Sequence, residues 1–465
     1  MNIIKIYKNA TPTQIIITGF LTIIFLGTIL LMLPVSSKAG TPTDFLTALF
    51  TSTSAVCVTG LVVVNTLAHW SFFGKVVILI LIQIGGLGFM AIITMFYLVF
   101  RKKVSLKSRL VIQESLNQPT FHGMVKLVTK AIKGTFIFEG IAAIIFTIVF
   151  YIDLDVSFGT SLFMGIFHAV SAFCNAGFDI LGDSSLTPYY NHLLVNLVLM
   201  FLIISGGAGF ALWLDVNRVR KFKFKNKKAT LKEKYQKLTL HSKIAINASI
   251  VLILVGWVAF FIIEYTNDLT IGNLSFGSKI LTSLFHSVSL RTAGFNTISM
   301  GGLTDASKLV SIFFMIIGGS PGGTAGGLKT VTLAIVILTV VSVIRGQSRT
   351  IVFNRTIPSS LVRKALSVTT IYIIVFFLAT FLLLVIEKES GFSFIDISFE
   401  VASAIGTVGL STGLTSSLST LSRIIIIICM FLGRLGPISV GVALTAKMTE
   451  TNNSLEYLEE NVLVG

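Results

Sequence analysis

Four short stretches recur along the chain: Val58-Thr59-Gly60-Leu61, Asn175-Ala176-Gly177-Phe178, Thr292-Ala293-Gly294-Phe295 and Thr407-Val408-Gly409-Leu410. Successive glycines lie 117, 117 and 115 residues apart. A fixed internal period constrains the architecture more than any other feature, because each unit must occupy an equivalent place in the fold. Each stretch also closes a short amphiphilic run. Phe50, Phe167 and Phe399 precede their glycines by ten residues, whereas Phe285 precedes Gly294 by nine. The third unit is therefore one position shorter.

Composition sets the environment of these units. Of 465 residues, 54% are hydrophobic and 12% charged, with a mean hydropathy of +0.89. A soluble domain carries about 25% charged residues, so an integral membrane protein is expected. The net charge of +16 would suggest nucleic acid in a soluble chain. Here it follows from Lys and Arg gathering in cytoplasmic loops, and no nucleic-acid partner is expected. Cys57, Cys174 and Cys429 lack metal-ligand spacing and are odd in number, which argues against a disulfide framework and leaves them as packing residues. The apolar run Ile15–Leu33 exceeds the ~7–15-residue core of a signal peptide and reads as a retained transmembrane helix.

Eight runs are long enough to cross ~30 Å of hydrocarbon: Ile15–Leu33, Val76–Phe100, Gly134–Ile152, Leu193–Leu214, Ile244–Ile263, Leu309–Ile344, Leu366–Ile386 and Ile424–Ala446. Between the members of each pair lies a segment too short to span: Pro42–Val58, Gly159–Cys174, Phe276–Arg291 and Phe392–Thr407. The expected fold is an all-α integral membrane protein of four tandem outer helix–pore helix–inner helix repeats with pseudo-fourfold symmetry. It would have eight transmembrane helices and four re-entrant pore loops. The units divide the chain into 15–110, 111–218, 244–350 and 351–448, with a cytoplasmic N-terminus at 1–14, a basic linker at 219–243 and an acidic tail at 449–465. Three alternate connections, Arg101–Lys133, Arg218–Lys243 and Arg345–Lys364, hold 24 of the 36 basic residues. They are expected to face the cytoplasm with both termini, leaving the half-length helices on the outer side.

A loop at membrane depth survives only when buried in protein or lining a water-filled path. Four such loops entering from one side converge most simply on one axis. Glycine permits backbone torsions that turn successive carbonyls toward that axis, and rings of carbonyls can replace an ion's hydration shell. The candidate filter is Val58, Thr59, Gly60, Asn175, Ala176, Gly177, Thr292, Ala293, Gly294, Thr407, Val408 and Gly409. Its charge-free loops suit a dehydrated monovalent cation and argue against a calcium site. The plainer alternative is that the glycines serve helix packing, which leaves their period unexplained.

At these residues the chain resembles the Trk/Ktr/HKT superfamily of potassium transporters, and within it the membrane subunit of the bacterial Ktr system. The likeness covers essentially the whole length. It is most specific at Gln83-Ile84-Gly85-Gly86-Leu87-Gly88-Phe89, Gln113 to Thr120, Asn175 to Phe178, Arg291 to Asn296 and Gly433-Arg434-Leu435-Gly436-Pro437. The resemblance implies one filter glycine per repeat, at Gly60, Gly177, Gly294 and Gly409. Some plant relatives carry serine at the first and prefer sodium, so four glycines favour potassium, with sodium a possible second ion. It also implies a bacterial cytoplasmic membrane location, a homodimer, and a cytosolic ring of RCK-type nucleotide-binding regulatory subunits. The nucleotide would bind that partner, with no cofactor in this chain.

Gly318-Gly319-Ser320-Pro321-Gly322-Gly323-Thr324-Ala325-Gly326-Gly327 interrupts the third inner helix, a composition that cannot hold a regular helix. A phosphate-binding reading fails because the flanks are membrane helix rather than a strand and a soluble helix. The resemblance implies an intramembrane gate below the filter, with Arg434 beside it. Near mid-bilayer such a charge costs at least ~2.5–3.5 kcal/mol, and here it would repel cations or pair with loop carbonyls. Glu139 is a second intramembrane charge that needs a partner. Arg291 is expected to brace the pore loop through carbonyls, and His168 and His286 to pack or hydrogen-bond. No nucleophile, metal cluster or paired carboxylate suggests an enzyme. The competing reading is a secondary transporter of an organic solute with broken helices as its site, which expects inverted repeats and charged ligands.

Overall fold

The computed structural model describes residues 10–88, 94, 106–115, 124–182, 185–225, 230–437 and 439–441. Four helices in it are long and apolar enough to cross a membrane: Pro12–Met32, Val125–Asp153, Leu240–Glu264 and Ser359–Ile386. They are the outer helices of the four repeats. The first opens on Thr11, whose hydroxyl accepts the Gln14 N–H at 3.3 Å while Thr11 N–H donates to Gln14 Oε1 at 3.0 Å. This reciprocal box occupies two amide donors that a helix start leaves unpaired. The outer helices direct large apolar side chains outward, such as Phe25, Ile144, Val255 and Phe377, each more than half exposed. In lipid that face needs no further cover.

Behind them lie the half-length helices Phe45–Cys57, Phe158–Cys174, Phe276–Ser289 and Phe394–Gly406. Asp44, Ser157, Ser275 and Ser393 cap their first turns. Phe50, Phe167, Phe285 and Phe399 are all fully buried, as their shared register predicts. Outer and half-length helices meet through small residues. Ser52 Oγ donates to the Ile24 carbonyl at 2.7 Å, and a Cβ added at Gly27 would stand 2.5 Å from that hydroxyl. The third repeat repeats the device: Ser287 Oγ donates to Ile253 O at 2.8 Å, opposite Gly256. Such close approach is how membrane helices gain packing without a hydrophobic drive between them.

The inner helices depart from the expectation of mostly continuous spans. The second consists of Leu193–Gly207 and Phe210–Lys225, bent by 99° at the break, so it does not run straight through to Leu214. Gly209 adopts φ +88° there, and the segment beyond is basic, which suits a membrane surface better than its core. The first and fourth, Phe72–Leu87 and Thr420–Leu435, stop at Gly88 and Gly436 with φ +84° and +83°. The residues assigned beyond these points, 89–93 and 95–100 and 442–446, lie outside the described residues, as do 116–120 of the Gln113–Thr120 motif and the acidic tail. The third inner helix divides into Asp305–Ile316 and Thr330–Ile344, as its glycines predict. A two-residue antiparallel hairpin, Ile351–Val352 with Arg355–Thr356, precedes the last outer helix. Its turn residues Phe353 and Asn354 are both left-handed, as this tight hairpin type requires.

Candidate functional site

Each half-length helix ends on one local design. Val58, Asn175, Thr292 and Thr407 are left-handed, at φ 57°, 59°, 66° and 53°, and the glycines two positions on are at φ 92°, 68°, 77° and 94°. The N–H groups between them, on Thr59, Ala176, Ala293 and Val408, reach back to the carbonyls of Ser54, Ser171, Ser289 and Ser403 at 2.8, 2.8, 2.9 and 2.8 Å. Two left-handed residues flanking one that is not turn consecutive carbonyls to the same side of the strand. The intervening side chains are buried in the protein behind, which leaves the backbone as the exposed chemistry.

The glycines close a ring in sequence order. A Cβ added at Gly60 would stand 2.5 Å from Ala176 O, and one at Gly177 would stand 2.9 Å from Ala293 O. Added at Gly294 it would strike Val408 O, and at Gly409 Thr59 O, closer still in both cases. Each repeat thus abuts the next and the fourth returns to the first. No side chain fits at any of the four positions. The twelve sequence-assigned residues are brought together, with the negative ends of four half-length helices directed at them.

The glycine loop 318–327 lies directly against this ring. Thr324 Oγ1 donates to Asn175 Oδ1 and Phe173 O, both at 3.1 Å, and a Cβ at Gly326 would collide with Thr407 Oγ1. The second and fourth inner helices hold the loop directly. Ser320 N–H and Thr324 N–H donate to Gly207 O and Gly206 O at 2.8 and 3.1 Å, and Gly327 N–H donates to Gly433 O at 3.2 Å. Lys329 Nζ ties the loop to itself through Ala325 O at 2.7 Å and Gly326 O at 3.2 Å. Arg434 donates to Thr324 O and to Gly85 O, and at 3.3 Å to Gly86 O. Its guanidinium therefore joins the loop to the first inner helix.

Glu139 finds partners in Gln83 Nε2 at 3.3 Å and Cys174 Sγ at 3.9 Å. His168 Nδ1 lies 2.7 Å from Met164 O, with Ile180 N–H on its other nitrogen at 3.5 Å; His286 Nε2 lies 3.3 Å from Ser311 Oγ. Both histidines also meet phenylalanine rings, Phe150 and Phe260. The three cysteines are free and buried. Arg291 differs from expectation. Its Nη2 donates to Ser249 Oγ on the third outer helix at 3.1 Å, away from the loop carbonyls. Its backbone carbonyl stays at the ring, accepting from Asn175 Nδ2 at 3.4 Å, while the guanidinium turns to the outer helix.

Four serines of the half-length helices bond the ring's backbone and were missed by the motif reading. Ser54 and Ser403 accept the Gly60 and Gly409 N–H groups at 3.0 Å each. Ser171 donates to Phe178 O at 2.7 Å, and Ser289 to Phe295 O. Their signal was present: a serine six residues before the glycine in three repeats, and five in the shortened third. Beyond the ring, on the side where the half-length helices begin, a cavity of about 360 Å³ is floored by all four glycines. Asp179 is among its lining residues, and burial pushes its carboxyl up to about 6. Among the described residues no group of three or more His, Cys, Asp or Glu side chains could hold a metal.

This is the architecture of a multi-pass helical membrane protein in which four tandem repeats enclose a ring of backbone carbonyls. Residues 6–457 match the TrkH family, described as a cation transport protein, and the chain belongs to that family. It is a transporter-family protein and not an enzyme. It is 39% identical over 464 residues to the potassium/sodium uptake protein NtpJ of Enterococcus hirae, covering 99% of each chain. It is 38% identical over 457 residues to the Ktr system potassium uptake protein B of Bacillus subtilis, covering 98% of this chain and 97% of that one. The crystal structure of the potassium transporter TrkH from Vibrio parahaemolyticus shares the fold. Its TM-score is 0.69 at 18% identity, over 93% of this chain and 86% of that one.

Proposed function

We propose that the chain mediates potassium uptake across the cytoplasmic membrane, with sodium as a second ion. The closed ring of four glycines, each backed by the next repeat's carbonyl, carries this reading. An ion on the axis exchanges water for carbonyl oxygens at no side-chain charge. The serines at the half-length helix ends hold the ring's N–H and C=O groups, so the oxygens do not reorganise as the ion enters. The loop 318–327 blocks the path beneath, latched by Arg434, whose charge also opposes a cation there. The basic connections face the cytosol together with both termini. Through them a homodimer would meet a ring of nucleotide-binding regulatory subunits that release the loop.

The test is rescue of cells lacking potassium uptake, with the chain expressed beside a cognate regulatory subunit. Growth at low potassium and rubidium influx are the readouts, and failure to rescue overturns the proposal. Gly294→Ser is expected to weaken potassium preference over sodium; unchanged preference removes the filter assignment. Deleting 319–326 is expected to raise flux, and lower or equal flux removes the gate.

A further inference from the structure

The four repeats place unlike residues at one equivalent position just beyond the ring. Two residues after Gly60, Gly177, Gly294 and Gly409 stand Val62, Asp179, Asn296 and Ser411. All four line the same 360 Å³ cavity, whose floor is the four glycines themselves. The period that makes the ring symmetric is thus broken one step outward. Asp179 is the one carboxylate among the cavity's described lining residues.

The polar members retain acceptors. Asp179 Oδ1 receives the Leu181 N–H at 3.4 Å and the carboxyl also has the Ser185 hydroxyl as a neighbour, which together use two of its roughly four acceptor positions. Asn296 Nδ2 is committed to Ile298 O at 3.0 Å, which leaves the amide oxygen as its acceptor. Ser411 Oγ accepts the Gly413 N–H at 3.0 Å and lies 3.1 Å from Thr415 Oγ1, whose proton is directed at Glu400 Oε1, so one lone pair of Ser411 stays open. A cavity of this size admits a cation with its first water shell, since a liquid water takes ~30 Å³. Its walls are protein, so the field of a single carboxylate is focused into the opening rather than dispersed in bulk water.

We propose that Asp179, with the oxygens of Asn296 and Ser411, forms a one-sided loading site for a hydrated monovalent cation above the ring. The site raises cation occupancy at the entrance and leaves discrimination between ions to the carbonyls below. It rests on the filter reading for its destination, but it acts on a different quantity. A loading site changes the external concentration needed for half-maximal influx, whereas a filter changes which ion passes at saturation.

The experiment measures rubidium influx against external rubidium in cells carrying the full chain and its regulatory subunit. Ionic strength is set with N-methylglucamine at about 10 mM and about 300 mM, where the screening length falls from ~30 Å to under 8 Å. Asp179→Asn is expected to raise the half-saturating concentration roughly three- to ten-fold at low ionic strength, as removing one focused charge implies. The difference should shrink toward twofold at high ionic strength, and Asp179→Glu should behave as wild type. Val62→Asp adds a second carboxylate to the same ring and should lower the half-saturating concentration. It carries the test where Asp179→Asn does not reach the membrane. A half-saturation unmoved by either change, or a shift indifferent to ionic strength, overturns the loading site. Potassium/sodium preference at saturation, compared between wild type and Gly294→Ser, reports the filter separately.

Discussion

The glycine ring makes a graded prediction. Replacing each ring glycine by alanine costs two things. The left-handed torsion adds about 1–2 kcal/mol for any residue with a Cβ, and this is common to all four because every φ lies between 68° and 94°. The second cost depends on position. At Gly177 the new Cβ would stand 2.9 Å from the neighbouring carbonyl oxygen, and at Gly60 2.5 Å. At Gly294 it comes closer, and at Gly409 closest of all. At Gly177 the neighbouring backbone must shift least, whereas at Gly409 the displacement forced on the Thr59 carbonyl is largest. Overpacking of that kind costs about 1–3 kcal/mol. If ~1.4 kcal/mol on the conducting geometry is tenfold in rate, Gly177→Ala loses about tenfold and Gly409→Ala more than ~100-fold. The other two fall between them. Rubidium influx per molecule at the cell surface, for all four variants side by side, is the assay. Equal losses, or Gly177→Ala as the most damaged, would refute the reasoning, because the strain common to all four would then decide and not the fit of each repeat to the next.

Three further outcomes follow from neighbouring contacts. Arg434→Gln removes charge-assisted bonds to Thr324 O and Gly85 O, each worth about 1.5–3 kcal/mol, so basal influx without the regulatory subunit should rise at least tenfold; influx that stays subunit-dependent counts against the latch. Ser54→Ala with Ser403→Ala leaves two buried ring N–H groups unpaired, at about 1–3 kcal/mol each, and should erode potassium/sodium preference more than Ser171→Ala, where a carbonyl retains other acceptor geometry. For pH, the Asp179 carboxyl near 6 is ionised at external pH 7.5 and neutral at pH 5. Acidification therefore removes charge from the entrance, and half-saturating rubidium should rise more in wild type than in Asp179→Asn, whose remaining response would come from Glu400 behind Thr415; equal responses in the two sink the assignment.

The repeat architecture was legible because hydropathy and spacing act over long windows. The last half-length helix, expected to end near Thr407, ends at Gly406, and Thr407 is its left-handed cap. The breaks in the first, second and fourth inner helices were not legible. Apolar residues continue on the far side of Gly88 and, for five residues, of Gly209, and a glycine in a membrane helix usually serves packing. Only the backbone torsions distinguish a packing glycine from a terminating one. Arg291 was misplaced for a similar reason: motif adjacency fixes position along the chain, but not the direction of the side chain, which turns to Ser249. The asymmetry at Val62, Asp179, Asn296 and Ser411 was written in the sequence, and it became informative only once one cavity was seen to join the four.

The inner-helix breaks also explain how a glycine loop can be held largely through its backbone, with Thr324 as the loop side chain that reaches the ring. A helix that stops leaves its last carbonyls unpaired, and here those carbonyls belong to residues 85, 86, 206, 207 and 433. They are the groups that accept from Arg434, Thr324, Ser320 and Gly327. The three shorter breaks therefore supply acceptors, and the third repeat, with its longer break, supplies donors from loop backbone. On the gate reading proposed above, release of a loop so held would exchange these backbone bonds for bonds to water. Arg434 is the exception, because its guanidinium has no other described acceptor at that depth. If the loop is the gate proposed above, the Arg434 contact to Thr324 O and Gly85 O is the one that a cytosolic regulator would have to displace.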